Sequence, residues 1–385
     1  PGLTFPNVIY APPGPLMQAP FPGALTPQLT SIAPPAVGQL VHGLAPDFVN
    51  PLVHEGDVTF EKQLPMNMSV TAAYVVSRAL HLPVYVDANV APTTATKTYD
   101  VTNSAGVTQS TITVPFYPTG NRIDKGVGVI LNGFSDVNSW YNSMVLTVRK
   151  RTSHGFEFLA NYTLSKAIDG GQVGGQFGTF FGTDPPFDPL NRKAEYGASD
   201  LDQRHRFVGS AVWQPSFRWI SNRPTRLLVD GFNFSTIITA GSGQPLTESI
   251  SGFPSGGLDG GLTGALVNNS GGSTGGRVPF LPRNNYYLPN IYNTDFRIAR
   301  DLKFGERVKL SLVGEAFNIF NHTNITGVGP GSPPNSFNFT NAGTGLCAGH
   351  TNACVVPNPA FPSVTQTSTT IYGARQLQIS GRISF

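Results

Sequence analysis

Apolar and polar residues alternate with a period of two along much of this chain, the spacing that sends successive side chains to opposite faces of a β-strand. Residues 155–166 are the clearest run: Phe156, Phe158, Ala160, Tyr162 and Leu164 fall on one face, Glu157, Asn161, Thr163 and Ser165 on the other. Residues 307–316 repeat it, with Val308, Leu310, Leu312 and Ala316 against Arg307, Lys309, Ser311 and Glu315. The last residues do so again, Leu377, Ile379, Ile383 and Phe385 alternating with Gln376, Gln378, Ser380, Arg382 and Ser384. No segment carries a helical period. The pattern predicts nine strands, near 57–64, 66–77, 139–151, 155–166, 203–214, 226–240, 291–303, 307–321 and 371–385, with a weaker extra hairpin near 110–134. Many exceed the roughly five or six residues common in soluble sheets. They suit the roughly 9–11 residues of a tilted strand crossing a bilayer.

The connections sharpen this. They run short around Pro65, long over 78–138, short over 152–154, long over 167–202, medium over 215–225, long over 241–290, short over 304–306 and long over 322–370. In an up-and-down meander, successive connections fall on opposite rims. The alternation therefore puts every long loop on one rim and every tighter turn on the other, the asymmetry of outer-membrane barrels. Trp140, Tyr292 and Tyr372 fall at long-loop ends, and Trp213, Phe304 and Phe385 at short-turn ends, as two aromatic girdles would. A soluble β-sandwich also alternates, but it does not explain the loop parity or the strand lengths. The expected fold is all-β: an antiparallel up-and-down transmembrane β-barrel, with about 9–11 strands of a larger one. Phe156, Phe158, Tyr162, Leu310, Leu312 and Ile379 are expected to face lipid. Glu157, Arg307, Lys309, Glu315 and Arg382 are the lumen-facing candidates.

Composition narrows the alternatives. Only 12% of the 385 residues are charged, while 43 are Gly and 33 are Pro. Mean hydropathy is −0.07, and no stretch reaches the roughly 18 apolar residues of a spanning helix. Twelve of the 33 prolines lie within the first 51 positions. Residues 1–56 therefore read as a Pro-rich extended segment or external loop, ahead of barrel sequence over 57–385. The net charge of +3 is scattered without a basic block, so nucleic acid has no electrostatic footprint here.

The stretches now reached resemble the C-terminal barrel portion of Oar-like TonB-dependent outer-membrane receptors. They are V-T-F-E-K-Q-L-P-M-N-M-S-V-T-A-A-Y-V-V-S-R (Val58 to Arg78) and W-Y-N-S-M-V-L-T-V-R-K-R (Trp140 to Arg151) running into G-F-E-F-L-A-N-Y-T-L-S-K-A-I-D (Gly155 to Asp169). D-L-D-Q-R-H-R-F-V (Asp200 to Val208), G-E-A-F-N-I-F-N-H-T-N (Gly314 to Asn324) and the terminal Phe385 follow in order. The resemblance covers about residue 50 to the end. It implies a 22-stranded barrel, an N-terminal plug and a periplasmic motif that engages TonB, with the plug and the remaining strands outside this sequence. It further implies location in the outer membrane of a Gram-negative-type bacterium. The function expected is a receptor that binds a solute at its external loops and admits it through a plugged barrel. A surface-binding or adhesion barrel and a plugless porin are the alternatives. The implied partners are outer-membrane lipid, the plug, the TonB system, the barrel-assembly machinery and an unidentified solute. The alternate apolar residues Leu377, Ile379 and Ile383 before a terminal Phe385 resemble the signal that this machinery reads.

Chemistry-bearing patterns are few, and no catalysis, cofactor or metal is expected. Gly271-Gly272-Ser273-Thr274-Gly275 matches a nucleophile elbow in letters, but it lies in a Gly/Ser loop without the required strand and helix. Gly343, Gly345 and Ala348 lack a βαβ unit around them. Cys347 and Cys354, the only cysteines, sit seven apart in a polar loop and are expected to form one disulfide. His350 lies between them, and three ligands in an oxidising compartment make a poor metal site. Asp184, Asp188, Asp200 and Asp202 bracket a Gly-rich loop without calcium-loop spacing. They read as solvated or salt-bridged carboxylates, with Arg204 or Arg206 as candidate partners.

Overall fold

The computed structural model describes residues 41–126, 128–171, 188–217, 219–252, 254, 276–304, 308–330, 334–368 and 372–385. Nine long strands follow one another across a single sheet: Leu52–Leu64, Met68–Asp87, Ile130–Ser153, Phe156–Asp169, His205–Trp213, Phe232–Gly241, Ile291–Phe304, Val308–Phe317 and Gln376–Ser384. Each is hydrogen-bonded antiparallel to the next. Short strands at Val41–Leu44 and Gly197–Ala198 join at the side. The meander is therefore the all-β, up-and-down arrangement expected of a barrel wall.

Register assigns every side chain to a face, because directly opposed residues in an antiparallel pair point the same way. One face can be followed without a break: Phe60, Ala72, Leu146, Tyr162, Phe207 and Ala240 stand opposite one another in turn. Farther along, Phe234, Ile298, Gly314 and Ile379 do the same. Phe156, Phe158, Tyr162, Leu310 and Leu312 share this apolar face. The other face carries Asp57, Glu61, Glu157, Asp295, Arg297, Asp301, Glu315 and Arg382 among Ser, Thr and Asn. Apolar residues also stand on the polar side, such as Val75, Leu159 and Ile237. They are the minority there.

The turns follow from local chemistry. The third and fourth strands meet through His154 and Gly155, both at positive φ (54° and 73°), the conformation of a type I′ hairpin whose twist matches that of the strands. A Cβ at Gly155 would stand 2.1 Å from the Gln214 carbonyl oxygen, so only glycine fits. The seventh and eighth strands are antiparallel partners; their turn, 305–307, lies outside the described residues, as do Arg307 and Ile371.

Several expectations need correction: the first wall strand begins at Leu52 rather than 57 and the last at Gln376 rather than 371, and three further departures have identifiable causes. The strand expected over 226–240 begins at Phe232, and Arg223–Val229 is an α-helix. Asn222 caps it by accepting from the Thr225 amide, and Pro224 sits in its first turn, a start signal that outweighs the apolar run Leu227-Leu228-Val229. The expected hairpin near 110–134 does not form. Thr96–Thr102 pairs instead with Thr108–Pro115, outside the nine-strand sheet, while Ile130 onwards belongs to the third strand. The strand expected to 321 stops at Phe317, because Asn318 and Asn321 take left-handed backbone (φ 47° and 51°), which asparagine tolerates best after glycine.

The second and third strands have 20 and 24 residues. At about 3.3 Å per residue the longer spans roughly 80 Å, well beyond a tilted crossing of a hydrocarbon core about 30 Å thick. Their long-loop ends therefore stand clear of the core. Buried side chains gather there, with Ala79, Leu82, Val84, Val86 and Val137 in one cluster.

Candidate functional site

The four long connections, 88–129, 170–204, 242–290 and 318–375, converge. Three of them contribute strands to a separate five-stranded sheet ordered Ser249–Ser251, Asn335–Thr340, Ala353–Pro357, Thr96–Thr102 and Thr108–Pro115. Two of its pairings, 249–251 with 335–340 and 353–357 with 96–102, are parallel. Val90, Tyr99, Val101, Val114, Tyr117, Ile250, Val278 and Val355 form its buried core. The loops thus build a cap with its own hydrophobic interior on the long-loop rim.

Polar contacts lock the remaining loop into it. Asp188 accepts a 2.7 Å hydrogen bond from the Tyr117 hydroxyl, and Glu195 pairs with Arg277 at 2.7 Å. Arg283 bridges Asp169 and Asp200, and donates to the Glu195 carbonyl oxygen. Asp202 accepts from the Ala167 amide and the Tyr287 hydroxyl, with Arg204 4.0 Å away. Burial, and then Asp188, push the Tyr117 hydroxyl well above its ordinary range. The described carboxylates of the expected cluster are thus engaged with protein donors. Asp184 and the Gly271–Gly275 motif lie outside the described residues. Arg277 and Arg283 supply the buried counter-charges that sequence reasoning missed, because they lie more than 80 positions from Glu195 and Asp200 and carry no local signal.

Cys347 and Cys354 are joined by a disulfide, with both residues fully buried. Their ring presents His350 to the first loop. Its Nδ1 lies 2.7 Å from Asp100 Oδ2, and its Nε2 lies 2.9 Å from the Gly106 carbonyl oxygen. Both ring nitrogens face acceptors, so the imidazolium form satisfies both. Asn352, and then His350, hold the Asp100 carboxyl below its ordinary value. Asp100, and then the Gly106 carbonyl, hold His350 above its own. With both sulfurs bonded to each other, the Cys347–His350–Cys354 group has no thiolate for a metal.

A pH window follows. The contribution of Asp100 is present above its ordinary pKa of 3.8 and is lost as pH falls through its lower folded value. That of His350 is present below 6.5 and is lost as pH rises through its higher folded value. The Asp100–His350 pair is therefore at full strength between these two ordinary values. Hydrogen exchange over 96–115, corrected for intrinsic rates, should show more protection at pH 5.5 than at pH 9. His350→Gln should remove the difference.

On the polar face of the sheet, Glu315 pairs with Arg297 at 3.3 Å and Lys309 with Asp301 at 2.8 Å. Glu157 accepts from the Thr152 hydroxyl, and Arg382 stands opposite Ser311. Leu377, Ile379 and Ile383 stand on the apolar face, and Phe385 is fully exposed at the end of the last strand.

The model of one family, described as an outer membrane beta barrel domain, matches residues 3–378. No curated protein matches the chain. Among solved structures, P. aeruginosa FpvA bound to heterologous pyoverdines is similar over 86% of this chain and 27% of that one, at 8% identity and a TM-score of 0.39. The outer membrane transporter YddB from Escherichia coli is similar over 77% and 32%, at 8% identity and a TM-score of 0.37. The FrpB iron transporter from Neisseria meningitidis is similar over 90% and 33%, at 9% identity and a TM-score of 0.36. The chain thus spans a third or less of the length of these structures.

Proposed function

The chain belongs to the outer membrane beta barrel domain family, and on that premise we propose that it forms the C-terminal portion of an Oar-like TonB-dependent receptor. It resides in the bacterial outer membrane. Barrel wall and its loops are supplied from Leu52 onwards, five residues before the expected boundary at 57, and the Pro-rich residues ahead of it lead into that wall. The plug, the remaining strands and the TonB-engaging motif come from sequence outside this chain. The apolar face meets lipid. The polar face, with Glu157, Arg307, Lys309, Glu315 and Arg382, lines the lumen and meets the plug. The loop-built cap receives a solute from outside, and the Cys347–Cys354 clip holds its last loop. Leu377, Ile379, Ile383 and Phe385 form the edge that the assembly machinery takes up, since an unclosed last strand offers free backbone groups for augmentation.

One observation carries this reading: a continuous two-faced sheet whose four long loops gather at one rim. Such a wall needs lipid on one side and water on the other. The test uses the full-length protein purified from outer membranes. Capture of the periplasmic domain of TonB, with no steady ion conductance in planar bilayers, supports the plugged receptor. Steady conductance without TonB capture would mean a porin, and neither property would mean an adhesion barrel.

A further inference from the structure

The charges on the apolar face all have one sign. Tracing the register, the paired positions of that face carry Lys62, Arg78, Lys150, Lys166 and Arg300 and no carboxylate. Over the stretches where the register runs unbroken, the paired acids Glu55, Asp57, Glu61, Glu157, Asp169, Asp295, Asp301 and Glu315 all stand on the other face; Asp87 pairs beyond the two register shifts of the second strand, outside the belt, and is bound to Arg122. Scattered surface charge does not sort this way. A face meeting phosphate-bearing headgroups would, since cations there gain a partner and anions are repelled.

The five cations lie at the two ends of the apolar belt. Lys62, Lys150 and Arg300 are near the short-turn rim. Two of these are held by the protein: Lys150 donates to the Met66 carbonyl oxygen at 3.1 Å, and the Arg300 guanidinium lies 4.8 Å from the Phe232 ring centre. Arg78 and Lys166 lie at the long-loop rim, where the belt of Val70, Ala72, Tyr74 and Val76 ends. Both are exposed, and among the described residues neither makes an ion pair. Trp140 stands opposite Arg78, and Asn142 opposite Lys166. The Arg78 guanidinium lies 5.6 Å from the Trp140 ring centre, and Tyr196 meets that ring edge-on at 5.7 Å. Two cations without an ion pair among the described residues thus flank an aromatic pair at the end of the apolar belt.

We propose that Arg78 and Lys166, with Trp140 and Tyr196 between and beside them, bind the phosphorylated headgroup of an outer-leaflet glycolipid. The site rests on the long-loop rim being external. Phosphate oxygens take the guanidinium and ammonium donors, and the indole and phenol rings pack against the sugar and upper acyl chain, apolar body inward and polar tip outward. A bound lipid of this kind would tie the wall to its leaflet beneath the cap without entering the lumen.

The test uses full-length protein purified in detergent and freed of native lipid, with bound lipid counted by native mass spectrometry. The probes are bisphosphorylated lipid A, its dephosphorylated form, phosphatidylglycerol and inorganic phosphate. Two cations at the headgroup level should give about 10- to 30-fold preference for the bisphosphorylated form over the dephosphorylated one. Arg78→Gln with Lys166→Gln should abolish that preference, Arg78→Lys should keep most of it, and Lys62→Gln at the other rim should leave it unchanged. Each variant is first shown to be folded by its heat-modifiable migration. Equal retention with and without phosphate, an unaffected double variant, preference for phosphatidylglycerol, or displacement by equimolar inorganic phosphate would each overturn the site. Protease added to whole cells separately reports whether the long loops are outside, so a wrong orientation and a missing site give different results.

Discussion

Leu146→Arg should lower the stability of the protein folded in lipid by ~2–4 kcal/mol, the range for a cation placed on the lipid face near the bilayer midplane. Thr147→Arg, one residue on, should cost well under half of that. Leu146 stands on the apolar face between Ala72 and Tyr162, away from both rims. An arginine there has neither phosphate nor water within easy reach, and its stem is short for snorkelling. Thr147 stands on the other face between Thr71 and Asn161 and donates to the Asn161 side chain at 2.8 Å. Its replacement loses one hydrogen bond, worth ~1 kcal/mol, while the new cation points into the polar side. Denaturant titration in lipid vesicles reads both. Equal costs would mean that the faces are assigned wrongly.

The second large effect lies in the cap. Arg283→Met should destabilise it by ~3–5 kcal/mol, the cost of stranding a buried partner charge. Arg283 is 8% exposed and Asp169 4%. The guanidinium pairs with Asp169, reaches Asp200 at 3.2 Å and donates to the Glu195 carbonyl oxygen at 3.1 Å, so it ties the second loop to the third. Adding Asp169→Asn should restore much of the loss, because the amide oxygen still accepts from the Gly171 amide while the stranded charge is gone. Urea-dependent protease cleavage within the cap measures both variants. An Arg283→Met protein as resistant as the parent would show that this ion pair does not hold the loops.

The wall was legible in the sequence because period-2 alternation is a local signal and each strand announces its own two faces. Residues 155–166 and 376–384 needed nothing from elsewhere in the chain. Strand ends were less legible. The stop at Asn318 depends on its side chain, which accepts from the His322 amide and donates to the Gly373 carbonyl oxygen, and that second contact joins residues 55 apart. The helix Arg223–Val229 was missed because its apolar residues also fit a strand, although Asn222 and Pro224 marked its start. The cap left the weakest trace. Its strands are three to eight residues long and pair across loops up to 254 positions apart, so its register rests on contacts such as Asp100 with His350 that no local period encodes. The lumen candidates Lys309 and Glu315 could be listed from alternation, but their partners Asp301 and Arg297 follow only from the hairpin register.

The central claim is that the register, rather than the hydropathy of single residues, decides which side chains meet lipid. Leu159 separates the two: it is apolar, yet it stands on the polar face opposite Arg149 and Ser210, while the smaller Ala160 stands on the apolar face opposite Val148 and Gly209. Spin labels placed singly at 158 to 163 in the full-length protein, reconstituted in lipid vesicles, report contact with oxygen dissolved in the bilayer against a water-soluble nickel chelate. Strict alternation is expected, with 158, 160 and 162 oxygen-accessible and 159, 161 and 163 reached by the chelate. High oxygen contact at 159 together with low contact at 160, or no alternation along the six positions, would contradict it.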